Sequence, residues 1–254
     1  MMRWLLGSLL LVLGSDSRES RALRVCADPA GLPFSSTDER GFENAIARIV
    51  ASEMNANVQY TWWASRRGFF RNTLNANRCD VVIGVPKGID QARTTHPYYR
   101  STFAFVTRRD QNLADLESID DPRLHSLRIG VPLAGDDGAN PTPVHALARR
   151  GIVDVRGFPL YAELGRATPA AAEAVRNGEI DVAILWGPVA GSVASTLVVT
   201  PIREESDAGR PFAFSIAMGV RRRDTALAAE LDAAMEKRRA DIDAVLRDAG
   251  VPRL

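Results

Sequence analysis

The stretch Cys79-Asp80-Val81-Val82-Ile83-Gly84-Val85-Pro86 runs on through Lys87–Pro97 into Tyr98-Tyr99-Arg100-Ser101-Thr102-Phe103-Ala104-Phe105-Val106-Thr107. An apolar run bounded by an acidic residue and by Gly/Pro is the pattern of a parallel strand covered on both faces. The loop after it is rich in polar and aromatic groups, and Phe103–Thr107 reads as a crossing strand that leaves in a new direction. The chain then repeats this logic. Leu23-Arg24-Val25 is followed 57 positions on by Asp80-Val81-Val82-Ile83, and Leu127-Arg128-Ile129-Gly130-Val131-Pro132 is followed 54 positions on by Asp181-Val182-Ala183-Ile184-Leu185-Trp186. Helix, strand and helix lie between the members of each pair, so the sequence predicts two tandem βαβαβ units. Open α/β sheets bind ligands beyond the carboxyl ends of their strands, which places a cleft at the seam.

The other elements follow from periodicity and capping. In the first unit a strand spans Leu23–Ala27 and a helix spans Gly41–Met54, with Phe42, Ile46, Ile49, Val50 and Met54 on one face. Strand Val58–Trp63 comes next, and Arg66-Arg67-Gly68-Phe69-Phe70 opens another helix. The second unit reads as strand Leu127–Val131, helix Pro143–Arg150, strand Val153–Phe158 and a helix capped by Thr168 that stops at Asn177-Gly178. Strand Asp181–Leu185, a helix from Val189 to Ser195 and strand Leu197–Ile202 complete it. Arg203–Arg210 reads as a second crossing, Phe212–Arg221 as a returning strand, and Asp224 as the cap of one long helical region reaching Asp248. The stripe Leu227, Leu231, Ala234, Met235, Ile242, Val245 and Leu246 packs that region on the first unit. Two crossings and a return describe a hinged clamshell of two doubly wound α/β lobes, residues 23–107 plus 204–254 and residues 108–203.

Composition narrows the function classes. The 254 residues are 46% hydrophobic and 25% charged, with a net charge of +1, which gives no electrostatic case for nucleic acid or an anionic membrane. Residues 1–22 have the order of a secretory signal: Arg3, the apolar run Trp4–Leu13, then the small polar segment Gly14–Ser20. That run falls short of the ~20 residues of a spanning helix. The expectation is an exported, soluble protein, with an uncleaved N-terminal anchor as the alternative; Ser15-Asp16-Ser17 and Ser20-Arg21-Ala22 both fit a cleavage site loosely. In an oxidising compartment the isolated pair Cys26 and Cys79 reads as a disulfide between neighbouring strands. The two sit at different heights along those strands, and two buried free thiols are the other reading.

Catalysis has little support. His96, His125 and His145 are scattered without metal-ligand spacing, and no P-loop, G-x-S-x-G or strand-to-helix G-x-G-x-x-G occurs. Asp136-Asp137-Gly138 reads as a polar turn rather than a cation site. A clamshell enzyme would need an acid/base pair, for which Asp28, Glu43 and His96 are the only candidates. Neither a metal nor a cofactor is expected. Binding is better supported, because large aromatics with a few charges are what recognition surfaces use. The first lobe brings Asp28, Phe34, Trp63, Arg66, Arg67, Pro86, Lys87, Tyr98 and Tyr99 to strand ends, and the second brings Asp136, Tyr161, Trp186 and Pro188. Each has a bland reading beside this one: either Trp62 or Trp63 must face the core, Arg66 and Arg67 open a helix in solvent, and Tyr98-Tyr99 pack a hinge.

The order of strand, Gly41-Phe42-Glu43-Asn44 helix, Asp80-Val81-Val82-Ile83-Gly84, Pro97-Tyr98-Tyr99 and crossing strand resembles the type II periplasmic solute-binding proteins. Longer motifs are similar to the solute-binding-like proteins associated with quinoprotein (PQQ-dependent) methanol and alcohol dehydrogenases, the MxaJ/XoxJ group. They include Leu23-Arg24-Val25-Cys26-Ala27-Asp28-Pro29, Tyr60-Thr61-Trp62-Trp63, Arg78-Cys79-Asp80-Val81-Val82, Pro97-Tyr98-Tyr99-Arg100-Ser101-Thr102 and His145-Ala146-Leu147-Ala148-Arg149-Arg150-Gly151-Ile152. The resemblance implies a periplasmic accessory protein that aids maturation or activation of such a dehydrogenase, with the dehydrogenase as its partner and the associated cytochrome as a second candidate. Amino-acid-binding relatives hold the ligand carboxylate with an Arg shortly after the third strand and its amine with an Asp before a Ser-Pro. Here Lys87-Gly88-Ile89-Asp90-Gln91-Ala92-Arg93 puts no Arg in register, and Trp186-Gly187 stands where Asp-Ser would be. An indole cannot partner an ammonium in a dry pocket as a carboxylate does. A solute receptor of an ABC transporter is the alternative of a different class.

Overall fold

A computed structural model describes residues 21–133, 140–159 and 168–254. Most of the leader, together with Asp136 and Tyr161, lies outside them. The elements that position the site are β1 (Arg21–Ala27), α1 (Phe42–Glu53), β2 (Ala56–Trp62), α2 (Phe69–Asn72), β3 (Val81–Pro86) and β4 (Tyr99–Thr107). Then come β5 (Ile129–Leu133), α3 (Thr142–Arg149), β6 (Val155–Pro159), α4 (Ala170–Arg176), β7 (Val182–Trp186), α5 (Gly187–Gly191) and β8 (Val198–Pro201). The chain ends in β9 (Ala213–Val220), α6 (Thr225–Lys237) and α7 (Arg239–Asp248).

The strands join in one sheet in the order β2-β1-β3-β9-β4-β7-β5-β6. Within each repeat the pairing is parallel: β1 with β2 and β3, β5 with β6 and β7. The junction is antiparallel and is made by a single strand. Residues 99–102 of β4 pair with β9, while 103–107 pair with β7 on one edge and 104–107 with β8 on the other. All but one residue of β4 is buried, and its apolar run Phe103-Ala104-Phe105-Val106 lies where strands flank it on both edges. The strand begins four residues before the expected Phe103, because Tyr99–Thr102 already have β9 beside them.

The internal repeat extends to an ion pair. Arg24 holds Asp80 through two hydrogen bonds of 2.8 and 2.6 Å, and Arg128 holds Asp181 through bonds of 3.0 and 2.7 Å. In each half the acid also donates its backbone N–H to the carbonyl of the same arginine. The environments differ in depth. Asp80 is gripped from a second side by Arg221 at 2.7 Å, whose side chain is 14% exposed, whereas the Arg128 side chain is 57% exposed. Burial works against the charged form of Asp80, but the two guanidiniums outweigh it and hold its carboxyl below the ordinary range. Asp181, bonded by Arg128, is lowered as well. Both contributions are therefore complete above an unfolded pKa near 4 and vanish as pH falls through the lowered values. Asp80→Asn is expected to cost about 2 kcal/mol at neutral pH, because it takes from the buried Arg221 one of its two acids and leaves only Asp224. Asp181→Asn is expected to cost about 1 kcal/mol or less; urea unfolding of the two variants compares them.

Several element boundaries depart from the sequence reading. Arg21 and Ala22 belong to β1 and pair with Ala56 and Asn57, and Arg21 also reaches Glu230 of α6. The helix expected after Arg66-Arg67 is one turn, Phe69–Asn72, and the one expected over Val189–Ser195 is the short Gly187–Gly191. Pro169, extended at φ −59° and ψ 136°, takes the cap position of α4 and leaves Thr168 outside it. The C-terminal region is two helices broken at Arg238. The Asp224 carboxylate makes no side-chain capping bond and instead ion-pairs with Arg221 at 2.6 Å. The apolar stripe does pack on the first repeat: Leu231, Met235, Ile242 and Leu246 share a core with Phe42, Ile46 and Val50 of α1.

Cys26 and Cys79 form a disulfide, with Cα atoms 5.5 Å apart. Cys79 stands outside the ladder, in the turn before β3, and that turn brings it back beside β1. The bridge is buried against Phe69, Leu74 and Val85.

Candidate ligand-binding cleft

Beyond the strand ends lies a cleft of about 1040 Å³ lined from both halves of the sheet. One wall comes from the β1–α1 loop and the segment around α2. The other comes from Pro132, Phe158, Leu185 and Val189 of the second half. The floor is aromatic. Trp186, the last residue of β7 and the N-cap of α5, meets Phe103 of β4 and Phe214 of β9 edge to face, with ring centroids 5.4 and 5.6 Å away. Three strands from both repeats thus converge on one indole.

Of the residues singled out from the sequence, Asp28, Phe34, Arg66, Arg67, Pro86, Tyr99 and Trp186 line this cleft. Four others do not. Trp63 is 36% exposed outside it, under the Arg78 guanidinium at 5.3 Å. The Lys87 ammonium is drawn away by the Thr95 carbonyl at 2.7 Å. Tyr98, just before β4, is buried in the core and its hydroxyl donates to the Ile83 carbonyl at 3.2 Å, whereas Tyr99, the first residue of β4, lines the cleft. Pro188 is buried in the first turn of α5. Trp62 stacks on Tyr60 at 4.4 Å, an i, i+2 pair on one face of β2.

Asp28 is inside the cleft but already engaged. Its carboxylate accepts from Ser65 N at 2.6 Å and Ala30 N at 2.9 Å, tying two loops together rather than waiting for an ammonium. Sequence reasoning missed Phe103 and Phe214 as floor residues, for which only their place on strands next to Trp186 could have served as a signal. It also passed over Glu43 except as an acid/base candidate. Glu43 lies in the first turn of α1 and lines the cleft, where burial alone pushes its pKa up to about 8. Its folded pKa lies above its unfolded one. The stability it contributes is thus present in acid and lost as pH rises through the interval up to about 8. Glu43→Gln is expected to remove this decline and raise the melting temperature at pH 8 by several degrees relative to the parent, with little change at pH 5. Differential scanning calorimetry at the two pH values checks it.

A cleft lined from both halves of the sheet and floored by aromatic rings has the form of a binding site. A family description of bacterial extracellular solute-binding proteins, family 3, matches residues 23–246. The chain is 36% identical to protein MoxJ of Methylorubrum extorquens AM1, over 92% of this chain and 82% of that one. It is 30% identical to MoxJ of Paracoccus denitrificans, over 98% and 95%. The crystal structure of periplasmic binding protein XoxJ from Methylobacterium extorquens AM1 superposes with a TM-score of 0.74 at 36% identity, covering 91% of this chain and 99% of that chain. MxaJ from Methlophaga aminisulfidivorans MPT gives 0.77 at 28% identity, covering 91% and 100%. An ancestral cationic amino acid solute-binding protein, at 20% identity and a TM-score of 0.71, shares the fold. The chain belongs to the family 3 solute-binding proteins and, within them, to the MxaJ/XoxJ type. Among the described residues no helix is long and apolar enough to cross a membrane.

Proposed function

We propose that this is a periplasmic accessory protein of a PQQ-dependent methanol or alcohol dehydrogenase, holding a segment of that partner between its lobes. The lobes, residues 23–107 plus 204–254 and residues 108–203, close on the segment about the two crossings, Phe103–Thr107 and Arg203–Arg210. One observation carries the reading: the cleft floor is Trp186 between Phe103 and Phe214 where amino-acid-binding relatives have a carboxylate. Its volume supports the same view. About 1040 Å³ is at or above the ~300–1,000 Å³ that serves drug-sized ligands, and one amino acid would leave most of it open. An apolar groove of this width suits an extended segment anchored by its side chains.

The test is recovery of the partner. The tagged protein, taken from the periplasm of its native host, brings down a quinoprotein dehydrogenase, and Trp186→Ala reduces that recovery at least tenfold. A parent protein that recovers no dehydrogenase, yet is stabilised by a free amino acid or organic acid in a thermal-shift screen, overturns the reading in favour of a transport receptor. A tight ligand at 1,000 times its Kd would stabilise by ~4 kcal/mol, which such a screen detects readily.

A further inference from the structure

The floor of the cleft carries one acid with nothing to do. Glu43 projects from the first turn of α1 over Gly84 of β3, and a Cβ at position 84 would collide with its carboxyl. Glycine there lets the acid lie flat on the sheet with its open side toward the cleft. Among the described residues no hydrogen bond reaches the carboxyl, and no cation is close enough to hold it ionised. Phe34, Val85, Tyr99, Trp186 and Ile216 line the same cleft. The carboxyl is partly exposed and is reached from the cleft, so an occupant that displaces water from it must replace the hydrogen bonds that water made.

We propose that Glu43 reads the main chain of the occupant: its carboxyl O–H donates to the C=O, and its carboxyl oxygen accepts from the N–H, of one residue of an extended apolar segment. In an extended strand the N–H and C=O of a residue point to the same side, so a single donor–acceptor pair meets both. This rests on the cleft reading above and names the chemistry the cleft selects, an uncharged peptide backbone rather than an ammonium or a carboxylate. The protonated acid supplies the donor. Burial, with no compensating cation, keeps the proton on up to a pKa of about 8. The titratable groups facing Glu43 are Tyr60 of β2, Tyr98 and Tyr99, all raised above the ordinary tyrosine value, so none of them changes charge between pH 6 and 9. Above pH 8 the ionised carboxyl presents acceptors only, and it repels the carbonyl it had bonded.

The probe is a short leucine–alanine peptide, acetylated and amidated so that its ends do not titrate, with a rhodamine label for fluorescence anisotropy. The full-length protein is expected to bind it about tenfold more weakly at pH 9 than at pH 6, the size of one lost hydrogen bond plus an unpaired charge. Glu43→Gln keeps a donor and an acceptor at every pH, so its affinity should stay flat at the acid-side value. Glu43→Leu should be weak throughout. A parent protein that binds the peptide equally at both pH values overturns the role of Glu43 and leaves the cleft reading standing. The same slope in Glu43→Gln as in the parent does likewise. Failure of the parent to bind at pH 6 overturns both.

Discussion

Replacing Cys26 and Cys79 together by alanine is expected to lower the unfolding free energy by about 4 kcal/mol and the melting temperature by roughly 10 °C. The bridge closes a loop with a sequence separation of 53, and the entropy removed from the unfolded chain grows with the logarithm of that length. Position adds a functional consequence. The disulfide lies beneath Phe69 and Leu74, in the small cluster that supports α2. That helix has only one turn and cannot hold itself by backbone bonding alone. Arg66, Arg67 and Phe70 of the cleft wall depend on this segment. Guanidinium unfolding of the variant with and without reductant checks the stability. The peptide-binding assay, run well below the new midpoint, is expected to show weakening as the wall loosens. A loss under 1 kcal/mol would mean that the bridge is absent from the folded protein.

How far these features could be read in advance varies with their range along the chain. The two βαβ repeats were legible because each buried parallel strand is a continuous apolar run beginning with Asp80 or Asp181, and each Asp has its Arg at a matching place in the first strand of its unit. The crossing at Phe103 was legible for the same reason. The fusion of the two halves into one sheet was not, since it depends on β9 returning more than a hundred residues later to lie beside Tyr99–Thr102. Cleft membership was legible in part. Phe34, Tyr99 and Trp186 stand at strand or loop ends where an aromatic has few other uses. Lys87 and Tyr98 stand equally close in sequence, but local hydrogen bonds to Thr95 and Ile83 turn them elsewhere. Glu43 looked like an ordinary acid in the first turn of a helix, a favourable place on dipole grounds. Only the packing of α1 on Gly84 shows that its carboxyl lies against the sheet at the edge of the cleft.

Restoring the amino-acid clamp by Trp186→Asp with Gly187→Ser is expected to fail twice. The serine has no room: a Cβ at position 187 would lie 2.6 Å from the Thr102 carbonyl and against Ser101 Oγ, atoms of β4 that β9 and the C-terminal segment fix from the other side. Backbone cannot yield as a flexible side chain does, so this change alone should cost about 3 kcal/mol. The aspartate then replaces an indole packed between Phe103 and Phe214, leaving a cavity and setting a carboxylate against two apolar rings. Ligand binding gains nothing in return. Asp28 remains bonded to Ser65 and Ala30, and no arginine follows β3 in register to take a carboxylate. The double variant should therefore unfold at least 10 °C below the parent and show no thermal shift with arginine, lysine or glutamine at millimolar concentration. A variant that folded normally and bound one of these amino acids would show that the clamp is separable from its surroundings. As the geometry stands it is not separable: glycine at 187 lets α5 sit against β4, and that seat sets the indole in the floor. The indole at 186 and the glycine at 187 are thus set by one packing arrangement, and the aromatic floor is what that packing produces.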